Sequence, residues 1–288
     1  MEQEISSINI ERNKFILLDK VGCKYIKDVT DPSREFIFAK TPPKTKTALE
    51  LLEYEYNQKS VLSHINQLDK ILENEIVPGT ITEFAGLAGT GKTQLCFQLC
   101  VSVQLIKLHG DNRAEAIYIG TNRNFSKERL REIAVNFIEK HPVECKDFYN
   151  ADEILKHVFY TEANTCTELF SILNNLSEFI NSKNVYLLII DSVSFPLKQT
   201  SFDSRRPTIG KLFKTLRSIS NIHNLAVVIT NDVTTRIRHD VSYETPSFGD
   251  SFYHCINTRI ITSKVRNTFL AKLVKSAYQA PQIVQFNI

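Results

Sequence analysis

The chain has 288 residues, with 35 Lys and Arg against 32 Asp and Glu, a formal net charge of +3. Its 42% hydrophobic and 23% charged residues are those of a folded globular protein and exclude wholesale disorder. So small a charge excludes nucleic-acid binding by bulk electrostatics and leaves only local patches, and no apolar run approaches the ~18–20 residues of a membrane span.

The opening MEQEISSINIERNK has no apolar h-region, so it is not a secretory signal. Residues 1–39 read as a small helical N-terminal piece. Phe15, Leu18, Val21, Tyr25, Ile26 and Val29 surround Gly22 as in two short helices joined at a glycine turn. So short a piece buries little core and is expected to lean on the rest of the chain. KTPPKTKT (40–47), with two prolines and three lysines, reads as an extended linker; a basic localisation patch is the alternative.

From 48 to 288 the pattern is that of one large core. Helices are predicted at 48–58 and 68–72, a strand at 81–85, and a helix from Lys92 to about 106. A strand at 114–120, an amphipathic helix at 126–139, a strand at 157–162 and a helix at 167–181 follow. VYLLIID (185–191) and LAVVIT (225–230) are near-continuous apolar runs, as in strands buried on both faces, separated by a helix at 209–221. Thereafter NTRIIT, TFLAKLVKS and QIVQFN read as strands with tight connections. The alternation predicts an α/β fold: a doubly wound, mostly parallel sheet with an antiparallel C-terminal extension.

The six cysteines, Cys23, Cys96, Cys100, Cys145, Cys166 and Cys255, form no CxxC pair. They read as buried thiols in a reducing compartment rather than zinc ligands or disulfides. Together these features describe a soluble intracellular protein.

The strongest local signal is Gly86-Leu87-Ala88-Gly89-Thr90-Gly91-Lys92-Thr93, a complete GxxxxGK[ST] phosphate loop. Four of the chain's nine glycines fall at 79–91, so the concentration is local. Such a loop must curl so that successive N–H groups point at phosphate oxygens, which side chains would block. The following helix aims its N-terminal N–H groups at the anion. Lys92 adds a charge between the terminal phosphates, and Thr93 offers a hydroxyl to Mg²⁺. A strand before and a helix after set this stretch apart from a chance glycine-rich turn. Asp191, ending its strand, is placed to hold Mg²⁺ through water; alone it would read as a turn residue.

Several segments in order carry a family resemblance. GTITEFAGLAGTGKTQLCFQLCVSVQ (79–104), LLIIDSVSFP (187–196), LAVVITNDVTTR (225–236) and PSFGDS (246–251) resemble the RecA-class recombinases of eukaryotes. Residues 47–58 and 152–173 are most similar to the C-type, spindle-D-like branch of the Rad-fifty-one paralogues. The resemblance spans 47–288 and thins over 1–46, where 17–29 matches half of a helix-hairpin-helix domain. It implies a RecA-like P-loop core that binds ATP and Mg²⁺. It also implies assembly with sister recombinase paralogue subunits, contact with single-stranded or junction DNA, and a nuclear role in recombination repair, including meiosis.

The same resemblance exposes departures. The family's water-activating Glu position is Asn122, in Gly120-Thr121-Asn122-Arg123-Asn124-Phe125. Its γ-phosphate-sensing Gln position is Asp232, and its nucleotide-capping Pro position, after Lys275-Ser276, is Ala277. These changes predict retained binding with weak or absent hydrolysis. Two rescues would undo this: Glu128 or Glu115 reaching the site from nearby, or residues supplied across an interface by a partner subunit. The family's aromatic assembly anchor falls at Thr45, with its alanine at Ala48; Phe36-Ile37-Phe38-Ala39 offers either a shifted anchor or a pin for the N-terminal piece.

Two segments after the last parallel strands read as polar loops that suit nucleic acid. Residues 195–206 interleave Phe195 and Phe202 with Lys198, Arg205 and Arg206, and 232–248 add Arg236, Arg238 and His239 with Tyr243 and Phe248. Aromatics stack on bases and cations neutralise phosphates, although Asp203, Asp240 and Glu244 dilute both patches. In the family these loops line single-stranded DNA. The sequence therefore points to an ATP-binding recombinase paralogue in a hetero-oligomer. A self-sufficient DNA-dependent ATPase and an adaptor with a relic nucleotide site stand as the alternatives.

Overall fold

The computed structural model describes residues 45–108, 112–146, 148, 150–238 and 241–287. The expected N-terminal piece, most of the linker and Phe36–Ala39 lie outside the described residues. The chain forms two compact units, Met1–Glu55 and Tyr56–Ile288.

In the first unit a helix, α1 (Ala48–Asn57), begins at a reciprocal cap. The Glu50 amide donates to Thr47 Oγ1 at 3.2 Å, and the Thr47 amide donates to Glu50 Oε2 at 2.7 Å. These bonds from Thr47 hold the Glu50 carboxyl below its ordinary range.

The second unit runs α2 (Asn66–Leu72), β1 (Ile81–Gly86), α3 (Lys92–Ser102), β2 (Glu115–Gly120), α4 (Lys127–Lys140), α5 (Ala151–Leu155) and β3 (Val158–Glu162). It continues with α6 (Cys166–Asn181), β4 (Val185–Asp191), α7 (Ser194–Gln199), α8 (Phe202–His223), β5 (Ala226–Arg238) and β6 (Val241–Pro246). It closes with α9 (Gly249–Tyr253), β7 (Thr258–Val265), β8 (Thr268–Lys275) and β9 (Gln282–Phe286). The sheet order is β3-β2-β4-β5-β1-β7-β8-β9, with β6 paired to β5 off this path. Pairings from β3 through β7 are parallel and β8 and β9 add antiparallel, the architecture expected from the alternation of elements.

Two cores sandwich the sheet. Leu187 and Ile189 of β4, with Ala116 and Tyr118 of β2, pack with Leu95, Leu99 and Phe137 of α3 and α4. The alternate residues Leu188, Ile190, Ile117 and Ile119 pack with Leu169, Leu173, Leu212 and Leu216 of α6 and α8. A strand with both faces buried has no polar face, which is why VYLLIID reads as one apolar run. Among the described residues no helix is long and apolar enough to cross a membrane. Cys96, Cys100 and Cys145 are buried free thiols, and burial pushes all three pKa values up.

Two segments expected as loops are ordered elements. Residues 195–206 belong mostly to α7 and the start of α8, which continues through Pro207 at the loss of one helical N–H. Residues 232–246 form a hairpin in which Val233 pairs with Pro246 and Arg238 with Val241. Its run of Val, Thr and Ile is strand-forming chemistry that the polar residues among it disguise. Two short helices, α5 and α9, are additions to the expected elements.

Candidate functional site

The site lies at the carboxyl ends of β1, β4 and β5, where ligands bind in open α/β sheets. Gly86 ends β1 in register with Asp232 of β5 on one side and Thr262 of β7 on the other. A Cβ there would lie 2.4 Å from the Thr262 carbonyl oxygen and 2.7 Å from Thr90 Oγ1, so Gly86 serves close packing. Gly89 is different: a Cβ there would meet nothing within 4 Å, but φ is +79°, a conformation glycine adopts without strain. Thr90 Oγ1 donates to the Leu87 carbonyl at 2.8 Å and lies 2.8 Å from Thr262 Oγ1, bracing the loop against β7. Gly86→Ala is expected to destabilise the fold by overpacking, lowering the melting temperature by about 2–12 °C. An unchanged thermal transition would contradict the close approach.

Lys92, in the first turn of α3, is buried, and its Nζ donates to the carbonyls of Gly86 at 2.7 Å and Leu87 at 2.9 Å. Burial pushes its pKa below the usual lysine range, and the carboxylates of Asp232 and Asp191 oppose that shift. Thr93 Oγ1 donates to Asp191 Oδ2 at 2.6 Å. The same Oδ2 accepts from Tyr118 OH at 2.7 Å, and Oδ1 accepts a short bond from Thr230 Oγ1. Asp191 is thereby fixed by hydroxyls from α3, β2 and β5. A hydroxyl beside a carboxylate is an oxygen donor set suited to Mg²⁺, which keeps several waters and is completed by phosphate oxygens. No cluster of three His, Cys, Asp or Glu capable of caging a metal occurs among the described residues.

These groups line a cleft of about 360 Å³, bounded by Ala88, Gly89, Lys92, Thr93, Asn122, Asp191, Asp232 and Phe269 among others. The structure thus brings the sequence-predicted Lys92, Thr93, Asp191, Asn122 and Asp232 into one site. Asp232 is not the lone repulsive carboxylate that its position suggests. Its Oδ2 accepts from Lys198 Nζ at 2.5 Å and from Ser194 Oγ at 2.9 Å. Burial alone would raise its pKa, but these bonds and the charges of Lys198 and Lys92 hold it below the ordinary aspartate range. The preceding Asn231 donates to Glu83 Oε1 at 2.8 Å, and Glu83 is paired with Arg259, a buried network that anchors the end of β5. Burial pushes the Glu83 carboxyl up, with Arg259 opposing.

The two carboxylates considered as rescues lie elsewhere. Glu115 sits at the opposite end of β2, bonded to His157 Nδ1 at 2.8 Å, and Glu128 lines a separate groove with Arg131 and Glu132. Lys275 donates to the carbonyls of Tyr253 and Ile256, and Ser276 donates to Glu75. Both are at the far end of the sheet from the phosphate loop, away from this chain's own cleft.

A larger groove of about 510 Å³ is lined by Lys198, Phe202, Arg205, Arg206, Val233, Thr234, Ser247 and Phe248 among others. The Asp232–Lys198 pair spans the wall between groove and cleft. Arg205 is engaged within the fold, where it donates to the carbonyls of Leu197, Lys198 and Thr200 and so caps the end of α7. Arg206 is exposed, while Arg236 and Arg238 fall in β5 opposite Tyr243 and Val241 of β6.

Sequence reasoning missed Tyr118, Thr230, Ser194 and Phe269. The carboxyl-end rule, applied to every strand, would have found Thr230; the others require the strand order.

A sequence model of the family described as Rad51 matches residues 59–288. The chain is 33% identical over 260 residues to "DNA repair protein RAD51 homolog 3" of Cricetulus griseus, covering 85% of this chain and 71% of that protein. It is 30% identical over 243 residues to "DNA repair and recombination protein RadA" of Aeropyrum pernix, covering 81% of this chain and 72% of that protein.

Proposed function

The chain belongs to the Rad51 family, and from that premise we propose that it is an ATP- and Mg²⁺-binding recombinase paralogue with weak or absent hydrolysis of its own. In this reading it acts in the nucleus as a subunit of a hetero-oligomer with sister paralogues. It serves double-strand break repair by homologous recombination, meiosis included. One observation carries the nucleotide half of the reading. Lys92, Thr93 and Asp191 converge in a cleft whose remaining walls present Asn122 and a neutralised Asp232, with no carboxylate among its lining residues free of a cation or hydroxyl partner.

The DNA half is supported by the larger groove, which combines Phe202 and Phe248 with the exposed Arg206. Stacking platforms beside cations suit a single strand or a junction. Arg206→Ala is expected to weaken single-strand binding and to reduce the slope of log K against log salt by about 0.7, the share of one phosphate contact. An unchanged slope and affinity would contradict this assignment.

For assembly, the reading rests on Thr45, an exposed polar residue at the slot where the family inserts an aromatic anchor. The purified chain is expected to form no long homo-filaments with ATP and DNA, and to co-purify with a related recombinase subunit when the two are co-expressed. Extended filaments of this chain alone in electron micrographs would overturn the hetero-oligomeric reading.

A further inference from the structure

Lys198 lines the larger groove, yet its ammonium reaches Asp232 in the wall of the cleft. Its Nζ lies 2.5 Å from Asp232 Oδ2, and Ser194 Oγ holds the same oxygen at 2.9 Å. Ser194 is fully buried and anchored in turn, its hydroxyl 2.9 Å from Ser192 Oγ, while the Ser192 amide donates to Thr121 Oγ1 at 2.8 Å. Thr121, Ser192 and Ser194 thus set the carboxylate in one place in the cleft wall. Arg205 fixes the other side by donating to the Lys198 carbonyl at 3.3 Å. The Lys198 side chain is half exposed and therefore holds its ammonium at Asp232 by charge rather than by confinement.

Asp232 faces Lys92 across the cleft and is in register with Gly86, where the phosphate loop begins. In a loop of this kind the backbone cradles the α- and β-phosphates and the lysine reaches the β and γ. The carboxylate at the end of β5 is accordingly a neighbour of the last phosphate of the chain rather than of the first two. A bare carboxylate there would repel that phosphate, and an ammonium bonded to the carboxylate cancels the repulsion.

We propose that Lys198 is a specificity-determining residue for the third phosphate: by neutralising Asp232 it lets the cleft accept a nucleoside triphosphate as well as a diphosphate. The inference rests on the nucleotide-site reading given above. It gives Lys198 a role at the cleft through Asp232, where the sequence alone suggests a contact with DNA.

The test is a binding titration of the full chain with Mg-ATP and Mg-ADP, carried out on the wild type, Lys198→Ala, Lys198→Met, and each of these combined with Asp232→Asn. Lys198→Met keeps the aliphatic stem and guards against loss of packing. Both single changes are expected to weaken ATP by about tenfold or more while moving ADP by less than about threefold. Adding Asp232→Asn is expected to restore ATP to within about threefold of wild type, because the repelling charge has gone. A merely structural role for Lys198 would produce no such rescue. If ATP and ADP fall together, if neither changes, or if Asp232→Asn fails to restore ATP, the inference is overturned while the nucleotide site stands. If the wild type binds neither nucleotide, the nucleotide reading fails and takes the inference with it.

Discussion

Lys92→Ala is expected to abolish the thermal stabilisation that Mg-ATP gives the wild type. A ligand that binds only the folded state stabilises it by RT ln(1 + [L]/Kd), about 2.7 kcal/mol at a hundredfold excess over Kd. For a domain of this size that corresponds to roughly 5–10 °C in melting temperature. Lys92 is the buried cation of the loop, already desolvated and already facing Asp191 and Asp232, so a phosphate gains its charge without a further dehydration cost. The variant also loses two bonds, to the carbonyls of Gly86 and Leu87, and its own melting point is expected to shift. The comparison that decides is therefore each protein with and without nucleotide. Equal responses of wild type and Lys92→Ala would contradict the phosphate-site assignment.

Asn122→Glu is expected to raise ATP turnover in the presence of single-stranded DNA, and the double change with Asp232→Gln to raise it further. In-line phosphoryl transfer needs an oriented water and a base for its proton. Asn122 lines the cleft and can orient a water, but an amide accepts no proton. General-base assistance is typically worth ~10²–10⁴ in rate, which bounds the gain from restoring it. Asp232→Gln replaces a carboxylate with a donor and releases Lys198 from its ion pair. Glu115 is bonded to His157 at the opposite end of β2 and Glu128 lines a separate groove, so neither is among the residues lining the cleft. Robust wild-type turnover that survives Asn122→Ala would show that the reaction uses another residue.

The phosphate loop and Asp191 are legible in the sequence because their chemistry is local. A glycine-rich turn between a strand and a helix, and an acid at the end of a doubly buried strand, are recognisable without knowing what lies beside them. The environment of Asp191 is not legible. Tyr118 and Thr230 reach it because β2 and β5 flank β4, and strand order is a tertiary fact that no single segment carries. The two expected loops turn out ordered for local reasons. Pro207 interrupts the helical pattern in the sequence, yet the buried face of α8 through Ile209, Leu212, Phe213 and Leu216 outweighs one missing N–H. The hairpin of β5 and β6 is hidden because arginines interrupt its β-branched residues. Arg205 and Lys198 show a further limit: a sequence reveals that a cation is present, but not whether helix carbonyls or a carboxylate already engage it.

Labelled nucleotide distinguishes a chain that holds ATP from one that consumes it. The purified full-length chain would be incubated with γ-labelled Mg-ATP and single-stranded DNA, separated from free nucleotide, and its bound label identified after several hours. Label is expected as intact ATP on the wild type, none on Lys92→Ala, and as free phosphate released from Asn122→Glu. Bound nucleotide recovered from the wild type as ADP with released phosphate, or no retention of label by the wild type, would contradict this expectation.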